Sequence, residues 1–369
     1  MEQPKPRNAL PMPNSPGREK FSRWKGMTSC SREAAEQATP EAVARYRASR
    51  LKAGVAVDLC CGIGMDAIAL AGNCGKVYAI DIDHDAIECA KKNAAEYGAR
   101  NIEFICADCT EIDLKKLGVE IAFADPSRRA EGRRVKGLAE TRPNTSELIE
   151  LIKKAGVENF CIEVSAALGL DELPQGCEKE FISLGHEPNC ISLYFGDLKK
   201  AECSFVNIED MGGKRHSLQA DSVGEAIGTK PQMLRYLFEL DEGIVHMKMQ
   251  KQAHETLGKA REKVFSFNET FFGSTQKAKS GFFRNSFKVL AELESTGAQG
   301  GNAGEKEKAW IVHALQRLRA GKAVLRGKFD ERGQLEMKRE IESMLDGKLK
   351  LHVFFFGNKI VIGRNLEIR

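Results

Sequence analysis

The sequence predicts an α/β protein in which a mostly parallel sheet, covered by helices on both faces, is followed by a second α/β domain. Three observations carry this prediction. Between Val55 and Gly196 short apolar runs alternate with helical segments, the pattern of successive strand–helix units. The first of these runs ends in a glycine turn flanked by acids, Asp58-Leu59-Cys60-Cys61-Gly62-Ile63-Gly64-Met65-Asp66. Beyond Cys203 the cysteines stop and a basic tail of helices and strands follows.

Taken in order, residues 1–28 form a flexible basic arm, because Pro4, Pro6, Pro11, Pro13 and Pro16 lie among scattered Lys and Arg. Ser31 to Leu51 reads as helical, with Thr39 as N-cap and Pro40 in the first turn. Ala42, Val43, Tyr46 and Ala48 are expected to face inward, and Arg45, Arg47 and Arg50 to form a basic outer face. Strands are expected over 55–59, 76–81, 102–106, 120–124, 158–164, 180–185 and 190–195, with helices over 65–72, 84–97 and 144–155. The short Gly185–Asn189 connection favours an antiparallel final pair. The first domain is placed at 29–202 and a basic C-terminal domain at 203–369. Within the latter, the glycine-rich loop from Gly297 to Gly304 leads into helix 305–319, a strand near 322–326, helix 333–345 and strands 349–356 and 359–363.

The 369 residues are 42% hydrophobic and 29% charged, enough for two folded domains. A net charge of +4 is modest, so nucleic-acid binding must be argued from where the charge sits. No apolar run approaches the ~20 residues needed to span a bilayer, and the polar, Pro-rich start is unlike a signal peptide. A cytoplasmic location is expected. The 11 cysteines, all between Cys30 and Cys203, suit buried thiols in a reducing compartment. Cys106 and Cys109 with Cys60 and Cys61 would make a metal or iron–sulfur site only if all four converged. No metal is expected.

The glycine turn suits a nucleoside carrying a charged amino-acid tail, and S-adenosylmethionine is such a molecule. Gly62 and Gly64 let the backbone approach a ligand closely. Asp58 and Asp66 can face an ammonium group. Asp81, 19 residues after Gly62, can accept hydrogen bonds from both ribose hydroxyls. Asp108, ending the third strand, can accept from the adenine amino group. Two other readings of the turn remain open: a dinucleotide site, which two flanking carboxylates disfavour, and a tight turn with an acidic cap. Asp125-Pro126-Ser127-Arg128-Arg129 ends the fourth strand, where ligands of such sheets sit. The Asp125 carboxylate and the Pro126 carbonyl can together accept both hydrogens of an exocyclic amine. Arg128, Arg129, Arg133, Arg134 and Lys136, with Gly132 and Gly137, make a basic loop suited to phosphate contacts. The tail adds Lys306, Arg317, Arg319, Lys322, Lys348, Lys350 and other cations.

The run from Ser31 to Ala48, the Asp58–Asp66 loop, Asp125-Pro126-Ser127-Arg128-Arg129 and the Gly321–Leu351 segment resemble class I methyltransferases that carry a C-terminal THUMP-like domain and are related to guanine-N2 RNA methyltransferases. The resemblance implies a Rossmann-like, seven-stranded methyltransferase sheet and S-adenosylmethionine as cofactor. It also implies an RNA substrate such as tRNA or rRNA, guanine N2 as the favoured target, and a THUMP-like docking module over 305–369. The chain departs from the family pattern in two places. Ser127 and Arg128 stand where amine methyltransferases usually have a proline and an aromatic residue, and Glu163-Val164-Ser165-Ala166 replaces a frequent Lys and Pro. A small-molecule or protein methyltransferase, or a non-catalytic RNA-binding factor retaining the cofactor, are the alternatives.

Overall fold

The computed structural model describes residues 10–11, 26–130, 133–134, 137–209, 213–224, 234–298, 304–327 and 331–366. Most of the expected N-terminal arm, and most of the glycine-rich loop before residue 304, lie outside the described residues. The chain divides into two units: Met1–Gly224 with Glu242–Met249, and Glu225–Asp241 with Gln250–Arg369.

In the first unit, strand β1 (Val55–Leu59) is buried along nearly its whole length, as a central strand covered on both faces requires. It pairs in parallel with β2 (Lys76–Asp81) and, on its other side, with β4 (Ile121–Ala124). Outside these lie β3 (Ile102–Cys106) and β5 (Asn159–Ser165), also parallel. A tight turn then joins β6 (Glu178–Leu184) to β7 (Glu187–Tyr194), and β7 inserts antiparallel between β5 and β6. The expected antiparallel pair is therefore present.

The sheet has nine strands rather than the expected seven. Beyond β6 run β8 (Cys203–Ile208) and β9 (Arg215–Ala220), giving the order β9-β8-β6-β7-β5-β4-β1-β2-β3. Every residue of β8 is buried, and Val206 and Ile208 join Ala42, Val43, Ile182 and Cys190 in one apolar cluster. Strand β9 alternates exposed and buried residues, as an edge strand does. The boundary read at 202 thus falls inside this sheet, and the first unit runs on to Gly224.

The single helix expected over Ser31–Leu51 is two: α1 (Arg32–Gln37) and α2 (Glu41–Arg50). Pro40 is the N-cap of α2, and a residue preceding proline is disfavoured in helical conformation, so the chain breaks at Ala38–Thr39. The Ser31 side chain caps α1 through Ala34 N at 3.0 Å. The expected outer face of α2 is also corrected, because Arg47 and Arg50 point inward. Arg50 bridges Glu178 at 2.7 Å and Glu180 at 2.9 Å, and its guanidinium lies 3.6 Å from the Tyr194 ring centroid. Arg45, paired with Glu41, is the partly exposed member of the three. Helices α3 (Met65–Ala71), α4 (His84–Glu96) and α5 (Thr145–Lys154) fall where expected.

The second unit is a mostly antiparallel seven-stranded sheet. Its strands are β10 (Tyr236–Leu240), β11 (Val264–Ser266), β12 (Phe271–Ser274), β13 (Phe283–Ala298), β14 (Ala320–Arg326), β15 (Leu349–Phe355) and β16 (Gly357–Asn365), ordered β11-β12-β10-β13-β16-β15-β14. Among the described residues only β14 and β15 of this sheet pair in parallel. Leu351, Val353 and Phe355 of β15 join Ile311 and Leu315 of the helix Glu305–Arg317 and Met337 and Ile341 of the helix Glu331–Ser343 in one core. Phe354 packs in a separate cluster with Phe271 and Phe287, as two-residue alternation along a strand requires.

A short helix, Glu242–His246, returns to the first unit and packs on β6 and β7. Gly243 makes this approach possible, because a Cβ there would lie 2.4 Å from Cδ1 of Phe181 and 2.6 Å from Cε2 of Phe205. Both rings are fully buried and have little room to move. Gly243→Ala should therefore destabilise the protein by about 1–3 kcal/mol through overpacking, read as a lower urea midpoint; an unchanged midpoint would contradict this packing.

Candidate active site

At the carboxyl ends of β1, β2 and β4 the sheet opens into a cavity of about 1090 Å³. Its floor is the glycine turn. Cys60 N and Cys61 N both donate to Ile80 O at 2.9 Å, which ties the turn to the end of β2. Gly62 (φ 52°) and Gly64 (φ 89°) are left-handed, a conformation glycine adopts without strain. A Cβ on Gly64 would come within 3.0 Å of Ala90 Cβ, whereas one on Gly62 would meet no atom within 4 Å. Gly64 is thus fixed by packing, and Gly62 borders open space.

Asp81 is held by two backbone donors: Gly62 N to Oδ2 at 2.7 Å and Asp83 N to Oδ1 at 2.9 Å. Burial nevertheless raises its carboxyl above the usual range. The adjoining Ile82 is 71% exposed and lines the same cavity. Asp108 accepts Thr110 N at 2.9 Å and Thr110 Oγ1 at 2.7 Å, both on Oδ1, and these bonds lower its pKa.

Asp58 is 1% exposed, and neither carboxylate oxygen has a hydrogen-bond partner among the described residues. Burial pushes its pKa well above the ordinary value, and the neighbouring Asp66, Asp125 and Asp81 push it further. A buried unpaired carboxylate is costly. Asp66, by contrast, is matched: Arg47 Nη1 donates to its Oδ1 at 2.5 Å. The second Arg47 nitrogen donates to Glu163 Oε2, and Arg128 Nη2 reaches Glu163 Oε1 at 3.3 Å.

Asp125 and Pro126 line the cavity wall beside Glu163. Burial and the Glu163 carboxylate push Asp125 well above the usual carboxylate range, with Arg128 and Arg47 opposing. The Asp125 carboxylate takes no hydrogen bond from described residues, whereas Ser127 N and O pair with Arg142 at 2.9 and 3.0 Å and fix the loop. Arg128, expected on a basic surface loop, is turned inward with its side chain 22% exposed. Arg129 pairs with Arg134 in a two-residue backbone ladder that includes Arg133. The loop residues 131–132 and 135–136, including Lys136, lie outside the described residues.

The structure thus brings Asp58, Gly62, Asp66, Asp81, Asp108, Asp125, Pro126 and Arg128 to one cavity. Sequence reasoning missed two participants, Arg47 and Glu163. For Arg47 a signal existed: Val43, Arg47 and the C-cap residue Leu51 lie four residues apart and continue the buried stripe of α2. For Glu163 no local pattern distinguishes it from any polar strand end. All 11 cysteines are free, with Cys106 exposed and Cys61 and Cys109 buried. Among the described residues no group of three His, Cys, Asp or Glu side chains could hold a metal ion, and no helix is long and apolar enough to cross a membrane.

Residues 56–131 match the family model described as "Methyltransferase domain". An uncharacterised S-adenosylmethionine-dependent methyltransferase of Mycobacterium tuberculosis is 30% identical over 199 residues, 53% of this chain and 51% of that protein. The chain therefore spans about half the length of this curated relative. An uncharacterised RNA methyltransferase of Clostridium acetobutylicum is 35% identical over 96 residues, 25% of this chain and 21% of that protein. The crystal structure of a putative methyltransferase from Porphyromonas gingivalis W83 shares the fold: its TM-score is 0.71 at 16% identity, covering 93% of this chain and 85% of that one.

The unpaired carboxylate has a measurable consequence. An acid that holds its proton more tightly when folded costs stability as pH rises from its ordinary value of 3.8 toward its raised folded value. Asp58→Asn should therefore raise the melting temperature of the ligand-free protein at neutral pH and leave it unchanged at about pH 3, below both pKa values; no gain at neutral pH would contradict the assignment. Such a cost is carried where a positively charged ligand offsets it. The matched span begins on β1, whose end bears Asp58, and takes in Asp81 and Asp125. The chain carries a class I S-adenosylmethionine-dependent methyltransferase domain.

Proposed function

We propose that the protein methylates an exocyclic base amine of structured RNA, tRNA or rRNA, with guanine N2 favoured, and that residues 305–369 form a THUMP-like docking module. The main support is the placing of Asp125-Pro126 in the same cavity as the unpaired Asp58 and the doubly anchored Asp81. Bound S-adenosylmethionine supplies an electrophilic methyl group. Asp81 accepts from the ribose hydroxyls, Asp108 from the adenine amino group, and Asp58 pairs with the ammonium group beside Asp66. Gly62 and Gly64 form the turn that the nucleoside approaches. Asp125 and the Pro126 carbonyl accept the two hydrogens of the amine and aim its lone pair, a matter of orientation more than of acid–base strength.

The acids on the cavity wall repel phosphate, so an RNA substrate would insert a single unstacked base and leave its backbone outside. Arg129, Arg133 and Arg134, beside the inward-turned Arg128, are then the phosphate-holding candidates of the first unit. In the second unit Arg317, Arg319, Lys322, Lys348 and Lys350 are exposed, and Lys322 faces Lys350 across the β14–β15 ladder. Other cations of that unit are neutralised locally: Lys308 by Glu340 and Arg326 by Glu239. The partial match to the C. acetobutylicum protein, named as an RNA methyltransferase, supports the same substrate class.

Two outcomes follow. Asp125→Ala should bind S-adenosylmethionine as the wild type does in calorimetric titration, yet yield no methylated nucleoside by mass spectrometry of treated RNA. In the wild type, turnover should rise with pH as Asp125 ionises, because its pKa is raised. Full activity in Asp125→Ala would remove the acceptor assignment. Separately, RNA affinity should fall steeply with added salt, linearly on a log–log plot. A flat profile, or methylation of a free amine without RNA, would replace RNA with a small-molecule substrate.

A further inference from the structure

Arg47 does not line the cavity but stands behind its wall, 1% exposed, with its guanidinium 4.5 Å from the Phe123 ring centroid. One arm of the fork holds Asp66, in the first turn of α3 at the glycine turn. The other holds Glu163 of β5. Strands β4 and β5 pair with Ala124 opposite Ile162, so Asp125, just past the end of β4, follows beside Glu163 of β5. The remaining Glu163 oxygen is taken by Arg128, two residues after Pro126. The result is one continuous chain of charge, Asp66–Arg47–Glu163–Arg128, that runs from the cofactor side of the cavity to its acceptor side.

We infer that Arg47 is a positioning residue that couples the two sides of the cavity, so that a change at Glu163 is felt where the cofactor's amino-acid end binds. The inference rests on the methyltransferase reading of the site. A planar guanidinium suits this role because its fork can bind two carboxylates in fixed directions, whereas an ammonium is a point charge without that geometry. Arg47 is 1% exposed, and its two terminal nitrogens are each held by a carboxylate. Hydrogen-bonded ion-pair networks carry coupling of this kind, and Asp66, Arg47, Glu163 and Arg128 form one.

The test is a double-mutant cycle on cofactor affinity, measured by calorimetry on the full chain with Arg47→Lys, Glu163→Gln and the pair. S-adenosylmethionine is the first probe. The second is 5′-methylthioadenosine, which keeps the nucleoside and lacks the amino-acid end. With S-adenosylmethionine, Glu163→Gln should change affinity by at least about threefold more in the otherwise wild-type chain than when Arg47→Lys is already present. With 5′-methylthioadenosine the effects should be independent, which general damage to the fold would not produce. Independent effects with both probes would overturn the coupling while leaving the cofactor site intact. Failure of the wild type to bind S-adenosylmethionine would instead overturn the reading beneath it. Should Arg47→Lys not fold, Asp66→Asn combined with Glu163→Gln tests the same path with nearly isosteric changes, and independence there overturns it equally. Arg45→Met, on the partly exposed face of α2, serves as the control and should behave as the wild type does.

Discussion

The cavity holds more carboxylates than cations. Asp58, Asp66, Asp125 and Glu163 meet at the carboxyl ends of three parallel strands and the start of one helix, and among the described residues only Arg47 and Arg128 answer them. Burial alone would drive such acids to protonate. Two guanidiniums hold Asp66 and Glu163, and the deficit falls most heavily on Asp58, whose carboxylate oxygens have no hydrogen-bond partner among the described residues, and on Asp125, which burial and Glu163 push up. Such a site favours a cationic ligand over an anionic one. The break at Ala38–Thr39 belongs to the same design: it lets α1 line the cavity while α2 packs on the sheet and carries Arg47 inward.

Helix α2 shows how the same residue type serves two ends. Arg50, three residues after Arg47, is bound by Glu178 and Glu180, and those carboxylates are further satisfied by Ser204, Lys200 N, Tyr46 and Tyr194. That network joins α2 to β6, β7 and β8, and Glu178 and Glu180 lie away from the cavity lining. Removing one member of such a buried pair typically costs about 3–5 kcal/mol. The Arg47 network has similar partners but ends on a cavity wall, so its charge balance is open to whatever binds there. Burial and pairing do not separate a structural arginine from a positioning one; what the partner carboxylates border does.

Much of this was legible in the sequence, because periodicity is local. The alternation of apolar runs located β1 to β7 and their helices to within a few residues, and the 19-residue spacing from Gly62 singled out Asp81, a lining residue of the cavity that Gly62 N anchors at 2.7 Å. The tail elements from residue 305 onward were equally plain. Strands β8 and β9 were not read from the sequence, and their residues were placed in the C-terminal domain, because nothing in Cys203–Ala220 states which sheet will accept them. Strand β8 pairs with β6, which lies upstream in the chain, and shares a core with α2, while β9 follows by pairing with β8. Arg47 was misplaced for a related reason. Arginine is assumed to seek water, and it is two carboxylates from other elements, Asp66 of α3 and Glu163 of β5, that make its burial tolerable.

The charge of the cavity also bears on how an amine acceptor would be handled. Methylating a neutral amine moves a positive charge onto nitrogen until a proton leaves. A wall rich in carboxylates favours that charge wherever it sits, before transfer and after it. Asp125 is the acid best placed to receive the departing proton, since burial and Glu163 already raise its affinity for one. The same carboxylates exclude phosphate, so recognition of a polyanion cannot be done by the cavity and falls to cations elsewhere. Catalysis and RNA recognition are then opposite electrostatic tasks, and a chain that performs both must keep them on different surfaces. Under the proposed RNA substrate, the exposed Arg317, Arg319, Lys322, Lys348 and Lys350 of the second unit are the cations to which that recognition would fall.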